Sequence, residues 1–154
     1  MLEYDKNFAD KLLNRILKGF QSQRLLNMLG LAVRRIIQDR TRKGVDVEGK
    51  PFKEYSKGHA RKREKLDLPV YPVNLQMDDV EGMLRKIDHA ITREFEELKV
   101  FIDDPEKEQI ARYHNILGAG KSKVIRRFWG LNDTEINKIH QIVGLEIANV
   151  LKKL

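Results

Sequence analysis

Three observations predict an α+β fold. Apolar residues recur at helical spacing near both ends of the chain, Glu97–Ile102 alternates as a strand should, and glycines and prolines break up the stretch between them. The 154 residues suffice for one domain with a real core and fall short of two, so a single unit spanning 1–154 is expected. Its expected architecture is a pair of long N- and C-terminal helices and a central helix packed on a small, mostly antiparallel sheet. Residues 41–73 are expected to form a long extended basic arm.

From Asp5, the residues Phe8, Leu12, Leu13, Ile16, Leu17 and Phe20 make one apolar stripe, which predicts an amphipathic helix that Gly19 ends or bends. After Ser22 a second helical pattern turns Leu25, Leu26, Met28, Leu29, Val33, Ile36 and Ile37 inward, with Gln23, Asn27, Arg34, Arg35 and Gln38 mostly outward. Past Thr41, Gly44, Gly49, Pro51, Gly58, Pro69 and Pro72 punctuate the chain. Val45–Phe52 reads as an irregular hairpin around Glu48-Gly49. Ser56 is placed to cap a short helix through Lys65, and Leu68–Val73 is extended because each proline disfavours helix in its predecessor.

Asn74 opens a predicted helix with Met77, Val80, Met83, Leu84, Ile87 and Ile91 on one side, and Asp78, Asp79 and Glu81 near its positive end. Asp103-Asp104 stops the strand at 97–102. Asp104 as N-cap and Pro105 at the first position then start the next helix, which Gly118 should close. Val124–Trp129 is a predicted second strand. Asn132 with Glu135 three residues on forms a capping box for the last helix, carried by Ile136, Ile139, Val143, Ile147, Val150 and Leu151.

The formal charge of +7 is unevenly distributed. Residues 40–65 hold ten Lys or Arg against four Asp or Glu, residues 78–108 hold five against eleven, and residues 109–154 hold eight against three. Segments of opposite sign on one chain favour head-to-tail contact between copies or docking onto acidic partners. No run of about eighteen apolar residues and no basic-then-apolar leader occurs, so a soluble protein without a membrane span is expected. With no cysteine, thiol catalysis, disulfides and thiolate metal sites are excluded.

Asn115–Ser122 reads NILGAGKS, and GAGKS resembles the end of a phosphate-binding loop. Such a loop needs a glycine five positions before Gly120, where this chain has Asn115, and it needs a preceding buried strand, where the pattern is helical. An exposed basic loop is therefore expected. The histidines at 59, 89, 114 and 140 lack zinc-helix spacing, and His114 and His140 read as satisfied, partly buried imidazoles. The carboxylate pairs are adjacent in sequence, so their side chains diverge. No nucleophile elbow accompanies the serines and threonines. No catalytic residue, cofactor site or metal site is assigned, and an enzyme is not expected.

Two segments point to partners. The arm carries Arg40, Lys50, Phe52 and Tyr55, a basic run with aromatic surfaces that would also suit a nucleic-acid-binding module using 40–65. Arg126, Arg127, Phe128 and Trp129 combine the residue types concentrated at the centres of protein interfaces. Core packing is the alternative for Phe128. These eight residues are the expected oligomer or partner interface.

The order of motifs resembles the phage virion morphogenesis, or tail completion, proteins of Mu-like and related tailed phages. The likeness covers roughly residues 30–152. It rests on Arg40-Thr41 followed by Gly44-Val45-Asp46 and Gly49-Lys50-Pro51-Phe52, then Tyr55-Ser56, then Asn74-Leu75 leading to Gly82-Met83-Leu84. Val100-Phe101-Ile102, Ala111–Asn115 and Arg127–Leu131 before Asn132-Asp133 complete it. Two positions differ from the usual pattern: Glu81 stands where members commonly have Thr, and no Pro separates Arg127 from Phe128.

The resemblance implies a non-enzymatic α+β structural protein of the bacteriophage virion or a prophage. It would act at the head-proximal end of the tail or in the head–tail neck, as a tail completion protein or head–tail connector. It would form a homo-oligomeric ring, a hexamer being one arrangement, with tail tube, sheath or head-connector proteins as partners. Packaged DNA would pass through the lumen, and assembly would occur in the host bacterial cytoplasm. The resemblance implies no membrane and no small-molecule substrate.

Overall fold

The computed structural model describes residues 23–75, 82–92 and 97–152. The helix expected over 5–20 lies outside them. Within them the protein is α+β, with four helices and one two-stranded antiparallel sheet. The elements are α1 (Gln23–Arg42), α2 (Lys57–Glu64), β1 (Ile87–Thr92), β2 (Glu97–Ile102), α3 (Pro105–Arg112) and α4 (Asp133–Leu151).

The buried face of α1 runs through Leu25, Gly30, Ile37, Arg40 and Thr41, and this helix crosses the sheet. Its stripe is rotated from the expected one. Met28 is exposed, while Arg34 donates to Asp88 on β1 at 3.0 Å and Gln38 donates to the Leu84 carbonyl at 2.9 Å. Gly30 lies against the strand: a Cβ there would lie 2.2 Å from Cδ2 of His89. Gly44, at φ +77°, turns the chain back after α1, and its N–H donates to the Thr41 carbonyl at 2.9 Å.

The central helix expected from Asn74 is a correction. Asn74 and Leu75 are buried but not helical, Met83–Lys86 is a single 3₁₀ turn, and Ile87–Thr92 is β1. Its register against β2 runs from Ile87 opposite Ile102 to Thr92 opposite Glu97. Ile87 and Ile91 are four residues apart, a spacing that places two side chains on one face of a helix and equally on one face of a strand. β2 needs a neighbour to satisfy its backbone, and β1 supplies it. Of the apolar residues expected inside, Met83, Leu84 and Ile87 join Ile37, Phe52, Val73, Leu75, Ile102, Ala111 and Phe128 in one core, Ile91 is half-buried, and Met77 and Val80 lie outside the described residues.

The second strand expected over Val124–Trp129 is also corrected. Only Val124 makes a β-bridge, to Ala119. Beyond it the backbone bonds elsewhere: Arg126 N donates to the His114 carbonyl at 2.7 Å, Arg127 O accepts from Val47 N at 2.8 Å, and Trp129 N donates to Asn115 Oδ1 at 3.1 Å. The segment thus fastens the end of α3 to the 45–51 hairpin. The region 41–73 is not extended throughout either. Val45 bridges Pro51, Phe52 and Val73 enter the core, and α2 occupies 57–64.

The helix boundaries follow local chemistry. His59 N donates to Ser56 Oγ at 3.3 Å, Lys107 N donates to Asp104 Oδ1 at 3.0 Å, and Asn132 and Glu135 exchange both bonds of a capping box. α3 widens into a π turn at Tyr113–Leu117 before Gly118, at φ +85°, ends it. A Cβ on Gly118 would lie 2.4 Å from the Lys123 carbonyl oxygen, so glycine is required there twice over.

One buried charge joins these pieces. Arg40 donates to Glu135 Oε2 at 2.5 Å and to the Gly130 carbonyl at 3.0 Å, and it also donates to the Phe128 carbonyl. Burial lowers the Arg40 pKa, and Glu135, with Asp46 behind it, partly offsets this. Glu135 therefore serves both as a capping-box residue and as the counter-ion.

Two stability measurements test this packing in urea denaturation. Glu135→Ala should cost ~3–5 kcal/mol because it strands a buried guanidinium, whereas Asn132→Ala, which removes a cap, should cost ~1–2 kcal/mol; equal losses would contradict the role given to Arg40. Gly30→Ala should destabilise by ~1–3 kcal/mol through overpacking on His89. Gly144→Ala, on α4 with nothing within 4 Å of its added Cβ, should instead gain up to ~1 kcal/mol from helix propensity.

Candidate functional site: a basic cleft

A cleft of about 930 Å³ lies among three segments that are distant in sequence. Lys53–Lys57 and His59 form one wall, Ile110 and His114 of α3 and its π turn form the second, and Ala119–Ser122 with Val124 and Arg126 form the third. Each wall is positioned by a feature already described. The Ser56 cap aims the N-terminus of α2 at the cleft, the π turn carries His114 inward, and the Gly118 bend returns the chain as an exposed turn.

Arg126 forms the back of the cleft, with 6% of its surface exposed. Its Nε donates to the Lys53 carbonyl at 2.9 Å and an Nη donates to the Glu54 carbonyl at 2.8 Å. The guanidinium carbon lies 5.6 Å from the centre of the Tyr55 ring, which Arg63 approaches at 5.3 Å. His59 packs on the same ring at 4.8 Å between centroids. Burial lowers the Arg126 pKa, and Tyr55 opposes the shift. No carboxylate is within ion-pair distance of Arg126 among the described residues, so its charge is balanced by carbonyl dipoles and an aromatic face.

His114 is half-buried beside it, and its Nδ1 has no hydrogen-bond partner. Its pKa is pushed down to about 4, first by burial and then by Arg126 and His59. The imidazole is therefore neutral across the physiological range. The expectation of a satisfied histidine is corrected for Nδ1, and His140 is exposed on α4. Gly120, Lys121, Ser122 and Lys123 form an exposed loop, as expected, and they follow the π turn of a helix instead of a strand.

The eight residues expected at an interface divide sharply. Arg40, Phe52, Arg126 and Phe128 are buried within the chain, where they join the core or bond to backbone carbonyls. Their expected place on the contact surface is corrected, since a side chain enclosed by its own fold presents no area to a neighbour. Tyr55 and Trp129 are half-buried, Trp129 packing edge-on against Phe128 at 6.1 Å. Lys50 and Arg127 are exposed on either side of Glu48, at 2.5 and 3.6 Å. The hydrogen bond from Lys50 lowers the Glu48 pKa and raises that of Lys50. Lys53, Lys57, His59, Lys121 and Ser122 were not singled out as one site, because nothing local brings residues 53 and 121 together.

No group of three or more residues able to hold a metal occurs among the described residues, and none of the described helices is long and apolar enough to cross a membrane. No protein-family model, curated protein or solved structure matches the chain.

The depressed His114 pKa predicts a pH dependence. The unfolded imidazole takes up a proton near its ordinary value of 6.5, whereas the folded one resists to about 4. His114 therefore contributes stability above pH ~6.5 that is lost as the pH falls towards ~4, up to ~3 kcal/mol. Thermal melts of wild type and His114→Gln between pH 7 and 4.5 should converge as the pH falls; parallel curves would show that burial does not hold the ring neutral.

Proposed function

We propose that this chain is a structural virion subunit, a tail completion or head–tail connector protein that assembles into a ring at the head-proximal end of a phage tail or at the head–tail joint. The observation that carries this reading is α4. It is nineteen residues long and rich in Ile, Val and Leu, yet its one buried residue is Glu135. Ile136, Leu145 and Leu151 are 38%, 67% and 43% exposed. A helix of this composition normally buries an apolar stripe, and an exposed one marks a contact surface.

A second copy is the occupant this reading favours, because a repeated heterologous contact that closes generates a ring. The exposed Lys50 and Arg127, the basic surface of 41–73 and the acidic side chains Asp103, Glu106 and Glu108 offer opposite charges for such a contact. Residues that carry the resemblance to tail completion proteins meet in the fold. Arg40, Gly44, Phe52, Asn115, Phe128, Gly130 and Asn132 are linked through the Arg40 clamp, the hairpin and the core. In this role the protein presents shape and charge, and it transforms no substrate.

Light scattering on a sizing column, followed by negative-stain microscopy, should reveal closed rings. Leu145→Glu should leave the melting temperature within a few degrees of wild type, since surface substitutions cost about 0.5 kcal/mol or less, and should yield monomers. A wild type that remains monomeric at every concentration and stays off tails and heads would exclude the proposal.

A further inference from the structure

We infer that the basic cleft binds the phosphate groups of a nucleotide or a nucleic-acid strand. This inference is independent of the ring and rests on how the cleft distributes charge. Lys53 and Lys57 on one wall and Lys121 on another line it, with the buried Arg126 behind them. The only carboxylate on its walls is Glu54, to which the Tyr71 hydroxyl hydrogen-bonds.

Several of the chain's other cations are engaged internally. Arg40 pairs with Glu135, Arg42 with Asp39, Lys50 with Glu48, and Arg63 donates to the Pro69 carbonyl. Lys53, Lys57 and Lys121 have no carboxylate within 4.0 Å among the described residues. Like charges gathered around one concavity repel one another until an anion enters, and low-dielectric walls focus their field.

Helix α2 adds to that field. Its N-terminus opens onto the cleft with Lys57 at the first position and no acidic residue in the first turn. By contrast, α3 begins with Glu106 and Glu108, and α4 with Asp133 and Glu135. No acidic side chain in the first turn of α2 compensates its positive end, and that is the end facing the cleft.

The rest of the lining favours a phosphate attached to something flat and partly apolar. Leu75, Ile110 and Val124 supply apolar lining, and two guanidiniums lie within 5.6 Å of the half-buried Tyr55 ring. About 930 Å³ is within the ~300–1,000 Å³ of small-molecule sites. The fork of Arg126 is largely committed to carbonyls, so it acts as a fixed charge from behind while the lysines make the flexible contacts. The Gly118–Ser122 loop thereby takes part in binding phosphate without being a nucleotide loop of the strand-to-helix type.

The test uses the intact protein and fluorescence anisotropy of a labelled ~20-nucleotide single strand at ~50 mM salt, where counterion release favours association. ATP, pyrophosphate and inorganic phosphate serve as competitors. Binding is expected, and Lys53→Ala, Lys57→Ala and Lys121→Ala should each weaken it and reduce the slope of log K against log salt by ~0.7. The control Lys62→Ala, at an exposed position of α2 away from the cleft, should leave both unchanged. Displacement by ATP at concentrations matching one bound nucleotide identifies a nucleotide site, and displacement only by longer strands identifies a strand site; both support the proposal. It is overturned if no probe binds, or if Lys62→Ala weakens binding as much as the cleft variants. It is also overturned if the cleft variants abolish self-association while phosphate binding is absent, which would make the cleft part of a subunit contact. That last result would leave the ring intact as a reading, and a monomeric wild type that binds phosphate would do the reverse.

Discussion

The Arg40 guanidinium ties the end of α1 to the segment 128–130 and to the start of α4. It leaves the last turn of α1, reaches the carbonyls of Phe128 and Gly130, and ends on Glu135 at the start of α4. An unpaired charge in that position would be costly, so the segment carrying those carbonyls and the N-terminus of α4 must stay where the guanidinium can reach them. Asn132 extends the same junction by donating to the Val47 carbonyl at 3.0 Å, which pins the 45–51 hairpin beside it. The two-stranded sheet is too small to organise a core alone. A charge-assisted clamp therefore does what a larger sheet does elsewhere.

That junction also explains how the surface is divided. Residues 124–130 are drawn inward at alternate positions: Arg126 and Phe128 are enclosed, while Ile125 and Arg127 are outside. Around the enclosed Arg126, the exposed residues 120–122 and the lysines at 53 and 57 line one cleft with excess positive charge. On the other side of the clamp, α4 is held chiefly at its N-terminus through Glu135. Along the helix Ile136, Leu145 and Leu151 are exposed, while Ile139, Val143, Ile147 and Val150 are half-buried. The same constraint thus borders two distinct surfaces, a cleft lined by Lys53, Lys57 and Lys121 and a helix with exposed Ile136, Leu145 and Leu151.

The elements legible in the sequence were those decided within a few residues. Ser56, Asp104-Pro105 and the Asn132/Glu135 pair announce helix starts because a cap satisfies N–H groups only two or three positions away. Gly118 announces a stop because a left-handed φ is nearly reserved for glycine. The strand at 97–102 was legible from its alternation. The run 87–91 was not, since the spacing of Ile87 and Ile91 suits helix and strand alike and only pairing with β2 selects the strand. Val124–Trp129 has strand-like composition, yet its hydrogen-bonding groups find the end of α3 and the hairpin first.

The candidate site shows the same division. Arg126, Arg127, Phe128 and Trp129 stood out by residue type, but which of them faces inward depends on partners as far away as Lys53 and Arg40. By itself the sequence determined the caps, the turn glycines, the α+β class and the pool of apolar residues from which the core is drawn, because these rest on local sterics and on composition. Tertiary structure alone decided which charges are neutralised and which are gathered at the cleft. Coulomb energy and desolvation depend on distance in space, and residues 40 and 135, or 53 and 121, become neighbours only when the chain is folded.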